Sequence, residues 1–164
     1  MALTFVASIT NAQEPPKPGP EHAKFKEAVG EWDATVKMMG SEMKAKASYK
    51  LDLGGFYLIE DFEGDFGGMK FSGRGTSAYC PIRKKYIMTW CDNMSPSPMI
   101  MTGSYDKSGK TMTQVGEGPN HEGKMSKFKS ISTMTDKDTM TMTMFEVKDG
   151  KDNEMMSITY KRKK

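Results

Sequence analysis

Three methionines in the run Thr139-Met140-Thr141-Met142-Thr143-Met144 recur at every second position, so on a strand they share one face and leave the threonines on the other. Three thioethers in a row suit a soft ion such as Cu(I). Methionine is also flexible and polarizable enough to line an irregular apolar interior, and no His or Cys stands beside these three to complete a coordination set. The two histidines are isolated: His22 opens a short helix-like segment, and His121 lies in the turn Asn120-His121-Glu122-Gly123. A zinc site needs three or four ligands, which two separate histidines without paired cysteines do not supply. A haem needs only one axial His, and taken by itself His121 reads as a solvated turn residue.

The carboxylates carry a second kind of chemistry. Asp92 shares a face with Tyr86, Met88 and Trp90, and Glu60 alternates with Leu58 and Phe62. A carboxylate turned into an apolar interior is costly unless paired, and Arg74 is the natural partner. On one reading Glu60, Arg74 and Asp92 anchor the head group of a small apolar or amphipathic ligand, in a cavity walled by Tyr49, Met88, Trp90, Met140, Met142 and Met144. On the other they form a satisfied internal network, or lie near strand ends in water. There is no Gly-x-Ser-x-Gly elbow and no Cys/His pair at suggestive spacing. The glycines between 64 and 75 lack the strand-turn-helix context of a phosphate loop. No catalytic residue, metal site or cofactor is therefore assigned, and the chain reads as a binder sooner than as an enzyme. Cys80 falls at a predicted turn and Cys91 well up the returning strand. That is too far apart for the Cα separation of about 5.5–6 Å in a disulfide, so both read as free thiols.

The elements that must position these groups are almost all strands. Trp32, Ala34, Val36 and Met38 alternate with Asp33, Thr35 and Lys37. Over residues 44–53, Ala45, Ala47, Tyr49, Leu51 and Leu53 face away from Lys44, Lys46, Ser48, Lys50 and Asp52. Further strands are predicted over 56–63, 69–79, 85–93, 99–105, 111–117, 124–135, 139–148 and 155–162, separated by short turns rich in Gly, Asp and Pro. Ahead of them residues 21–29 read as a short helix, with Phe25 and Val29 on one edge and Gly30 placed to stop it. About ten antiparallel strands at even spacing favour an all-β, up-and-down barrel, since closure removes exposed edges. A β-sandwich is the alternative.

A chain of 164 residues bounds this to one domain. The net charge of +3 arises from 24 basic and 21 acidic residues scattered along the sequence, with one concentrated basic run at 161–164. Such a run at a terminus reads as a solvated end, not as a nucleic-acid-binding patch. Seventeen methionines stand against four leucines, consistent with an adaptable interior. Residues 2–12 look like the back half of a secretory signal that lacks its positive n-region, and residues 14–20 form a proline-punctuated arm. The expected organisation is a signal-like remnant and arm over 1–20, then a barrel domain over 21–164. The protein is exported, periplasmic or secreted, if that remnant is a truncated signal, and otherwise cytoplasmic. No later segment is long and apolar enough to span a bilayer.

A helix followed by Gly-x-Trp at the first strand, then a meander whose last strand carries an Arg in phase with Met156, Ile158 and Tyr160, resembles the calycin superfamily of lipocalins and fatty-acid-binding proteins. The resemblance implies that Trp32 and Arg162 pack together across the closed end, with Gly30 as a structural residue; some barrels of the group bind haem through a single His, which makes His121 a candidate for a haem- or metal-handling function. The longer pattern is more specific. Pro18-Gly19-Pro20-Glu21-His22, Gly30-Glu31-Trp32-Asp33, Gly67-Gly68-Met69, Gly73-Arg74-Gly75, residues 86–90, Asp92-Asn93-Met94-Ser95-Pro96 and Ile158-Thr159-Tyr160 resemble a bacterial lipocalin-like family of unknown function, domain-of-unknown-function family 1579. It implies the barrel and brings no established activity. A third expectation is a filled scaffold barrel that acts through its surface; ligand identity and oligomeric state stay open.

Overall fold

The computed structural model describes residues 14–164, so the signal-like run at 2–12 lies outside the described residues. Pro20, whose missing N–H is no loss in a first turn, opens helix α1 (Pro20–Ala23), which tightens at once into a 3-10 turn over Lys24–Glu27. The helix expected over 21–29 is thus shorter and partly 3-10. Four residues do not sustain an α-helix on their own, and only Phe25 of the 3-10 turn is buried, while Val29 is exposed. Gly30 ends the segment at φ +132°, where a Cβ would meet the Arg162 guanidinium at 2.8 Å, so no other residue fits there without strain.

Ten strands follow: β1 (Gly30–Met38), β2 (Ser41–Asp52), β3 (Tyr57–Phe66), β4 (Met69–Cys80), β5 (Lys85–Asp92), β6 (Met99–Tyr105), β7 (Thr111–Pro119), β8 (Met125–Asp136), β9 (Thr139–Lys148) and β10 (Lys151–Arg162). Each pairs antiparallel with its sequence neighbours, and β1 pairs with β10 in a ladder from Trp32↔Arg162 to Met38↔Met156, closing the barrel. Closure excludes the sandwich alternative. Several expected bounds shift, among them the start of β2, at Ser41 and not 44, and the end of β3, at Phe66 and not 63; two further differences have local causes. Leu53, assigned inward at the end of β2, sits instead at φ +46° in the turn Leu53–Gly55 and is mostly exposed. β10 begins four residues before the expected 155, because a register shift between Glu154 and Met156 breaks the alternation that marks a strand in sequence.

Period-two alternation sends one face of every strand inward. Trp32, Ala34, Val36, Ala45, Ala47, Tyr49, Phe62, Ile158 and Tyr160 form the largest buried cluster, and Met101, Phe128 and Met144 another. Inward Gly103 and Gly116 lie where a Cβ would stand 2.0 Å from a backbone oxygen of the partner strand, a close approach that lets a small barrel turn a corner.

The helical segment covers one end. Phe25 packs on Tyr86, and the Tyr86 hydroxyl donates to Glu21 O at 3.0 Å. Beneath it the fully buried Trp32 donates its Nε1–H to Ala28 O at 2.8 Å. The Arg162 guanidinium stacks 4.1 Å over the Trp32 ring and donates to the carbonyls of Glu27, Val29 and Lys137, which ties the last strand to the first turn. The far end carries the Gly67-Gly68 and Asp149-Gly150 turns, the β5–β6 connection and the β7–β8 turn.

Candidate functional site

The register lays the interior out in rows. Tyr49 on β2 stands opposite Glu60 on β3, Glu60 opposite Gly75 on β4, Gly75 opposite Trp90 on β5, and Trp90 opposite Met99 on β6. Two glycines open room in this row and the next. A Cβ at Gly75 would lie 3.2 Å from a Glu60 carboxylate oxygen, and one at Gly73 would lie 2.2 Å from the Trp90 ring. The indole therefore lies across Gly73, stacked at 15° on Phe71, with its Nε1–H donated to Asp92 Oδ2 at 2.8 Å. The other Asp92 oxygen accepts the Met94 backbone N–H at 2.9 Å, so this carboxylate is occupied in fixing Trp90 and the first residues of the β5–β6 loop.

Glu60 is different. It faces inward, enclosed by protein, with the Tyr49 and Tyr160 side chains as its polar neighbours. Burial pushes its carboxyl up from the ordinary value to about 7, against the opposing pull of hydrogen bonding from Tyr49 and Tyr160. Both phenols are held well above their usual range by burial and by the carboxylate beside them, so they remain donors. Glu60 still keeps part of its surface accessible to a water molecule, as do the inward-facing Met88, Trp90, Met140 and Met142. Met144 is buried against Met101 and Phe128, and Met140 and Met142 face Tyr160 and Ile158 across the β9–β10 ladder.

Of the nine side chains expected to line a cavity, Tyr49, Glu60, Met88, Trp90, Asp92, Met140, Met142 and Met144 take inward positions, and Arg74 does not. Arg74 pairs in register with Asp61, one residue out of phase with Glu60, and its guanidinium bonds Asp61 Oδ1 at 2.6 Å on the outer surface. On a strand, neighbours in sequence point to opposite faces, so Arg74 cannot serve an inward Glu60 whose cross-strand partner is Gly75. His121 lies in the exposed β7–β8 turn. His22 packs among Phe25, Phe56 and Tyr79 and accepts the Gly19 N–H at Nδ1. Among the described residues no group of three His, Cys, Asp or Glu side chains is arranged to hold a metal ion. Cys80 and Cys91 are free thiols.

Among the inward polar residues not singled out in sequence are Tyr160 and Glu146. Tyr160 completes the polar trio with Glu60 and Tyr49, and its signal was the in-phase run of the last strand. Glu146 continues the Met140–Met142–Met144 phase to the far rim, where it accepts from Ser126 Oγ at 2.7 Å and Asn120 Nδ2 at 3.3 Å and pairs with Lys148 at 3.1 Å. These contacts, led by Ser126 and Asn120, hold its carboxyl down at about 2.

A closed up-and-down barrel with a helical segment over a stacked Trp-Arg pair, and with a Met- and aromatic-lined interior, has a calycin-like fold. The chain belongs to the family described as protein of unknown function (DUF1579), whose model matches residues 17–162. No curated protein matches it in sequence. Among solved structures it is similar to the S-type phycobiliprotein lyase CPES from Guillardia theta, at 14% identity and a TM-score of 0.56 over 90% of this chain and 99% of that one. A redesigned beta barrel matches 86% of this chain and 96% of its own at 13% identity and a TM-score of 0.49. At such identities the likeness to the lyase shows the fold alone. No helix among the described residues is long and apolar enough to cross a membrane.

Proposed function

We infer that this barrel binds a small apolar or amphipathic molecule in its interior and performs no chemistry on it. One observation carries the reading: Glu60 is an inward carboxylate with two phenols and no cation, set in a wall otherwise made of methionine and aromatic side chains. A barrel selected only for stability would replace the carboxylate, because an inward carboxyl pushed up to about 7 is a standing cost at neutral pH. Methionines at 88, 140, 142 and 144 offer an adaptable wall to a ligand of irregular shape, and Trp90 offers a flat one. The family is of unknown function, and a phycobiliprotein lyase with the same fold is consistent with an interior that receives a small molecule.

The test is titration of the full chain with the neutral fluorophore N-phenyl-1-naphthylamine, with native mass spectrometry of freshly purified protein alongside. Saturable binding that is weakened by Met142→Trp, which would fill the interior, supports the reading. Absence of saturable binding together with absence of any co-purifying small molecule overturns it in favour of a filled scaffold.

A further inference from the structure

The interior has a sign, and the sign selects the ligand. Among the described residues, inward strand positions carry three carboxylates, Glu60, Asp92 and Glu146, and basic side chains only at the two ends. At the closed end Arg162 is taken up by three carbonyls and the Trp32 ring. At the far rim Lys148 is bound to Glu146 and Lys151 is exposed. Under the helix, Lys24 and Lys110 border a recess of about 50 Å³, with Lys24 paired to Glu27 at 2.7 Å. The remaining lysines and arginines of the strands lie on outward positions, among them Lys44, Lys46, Lys50 and Arg74 along the outside of β2 and β4.

The carboxylates are not equivalent. Asp92 has both oxygens engaged by Trp90 and Met94, and Glu146 is engaged by Ser126, Asn120 and Lys148. Glu60 has two phenol hydroxyls and no cation. A ligand head beside it must therefore bring positive charge or hydrogen-bond donors, while a carboxylate head would meet a like charge without a guanidinium or ammonium to neutralise it.

We propose that the molecule held in this barrel is an amine, with an alkyl or aryl body against the methionine wall and an ammonium group on Glu60, and that carboxylate-headed lipids are refused. The proposal rests on the binding reading above. An incoming ammonium replaces the missing cation, and Glu60 releases its proton to solvent as the pair forms. Affinity for the amine then rises from acid to mildly alkaline pH. Tyr49 and Tyr160 keep their protons throughout and hold the carboxylate in place as donors.

Dodecylamine, dodecanol and dodecanoate share one chain and differ only in the head, and each is competed against N-phenyl-1-naphthylamine on the full chain. At about pH 8 the amine is expected to bind about tenfold or more tighter than dodecanoate, the scale of one charge-assisted hydrogen-bonded pair. Its affinity should fall by a similar factor at about pH 5, where Glu60 holds its proton. Glu60→Gln should bring the three ligands within about threefold of one another and flatten the pH dependence, whereas Glu63→Gln, on the outer face, should leave the preference unchanged. The wild-type selectivity and its pH profile decide the matter even if Glu60→Gln fails to fold. Dodecanoate binding as tightly as the amine at about pH 8 overturns the amine assignment and leaves the binding reading standing. Displacement by none of the three, with the fluorophore itself unbound, overturns both.

Discussion

Glu60 and Glu146 are the same residue type at the same kind of position, an inward-facing site on a barrel strand, and the fold treats them oppositely. At the rim, Ser126, Asn120 and Lys148 converge on Glu146 and its carboxyl is held down at about 2. In the middle of the wall Glu60 receives two phenols and no charge, and its carboxyl rises to about 7. The rim glutamate is a strut: its contacts tie the β7–β8 turn to β9. The mid-barrel glutamate has two phenol donors and no cation, and it is the group we propose for the ligand head.

The contrast is broken most severely at the closed end, where Arg162 is the fully satisfied charge. Arg162→Ala removes the donor from three carbonyls and the cover from Trp32. Urea denaturation is expected to show a loss of about 3 kcal/mol.

Glu60→Gln should act in the opposite direction. Its folded pKa is raised, so the folded state binds the proton more tightly and stability is lost as pH climbs from the ordinary carboxyl range toward 7. The variant should therefore match wild type below about pH 4 and exceed it by about 2 kcal/mol above about pH 8, after discounting for the accessible surface of the group. A wild-type denaturation midpoint that does not fall across this window would show that Glu60 is already paired.

Glu146→Gln gives the mirror image. A depressed carboxyl supplies stability above its ordinary pKa and loses it as pH falls toward about 2. The variant should melt below wild type at neutral pH, with the gap closing on acidification. Arg74→Ala should do least. An exposed pair with Asp61 at 2.6 Å is expected to move the urea midpoint by less than about 0.5 kcal/mol, and to leave ligand binding untouched.

The sequence carried further for the barrel than for its interior. Alternation in β1 and β2, the turn residues, and the Gly30-Trp32 and Arg162 pattern were enough to read a closed meander with a Trp-Arg pair at one end, because side-chain period and turn chemistry are local properties. Where the local signal is interrupted, the reading slipped. The register shift at Met155 hid the first four residues of β10, and Leu53 looked like one more inward apolar residue although it lies in a turn at positive φ.

The order of residues along this chain determined which faces are apolar, that ten such faces follow one another with short links, and that methionine, not leucine, dominates within. What it left undecided was which residues from distant strands share a level of the barrel. Arg74 is fourteen residues from Glu60 and points away from it, whereas Tyr160 is a hundred residues away and reaches it. Facing follows from parity within one strand, but adjacency across the lumen depends on the registers of all ten ladders together, and those are set only when the last strand closes on the first.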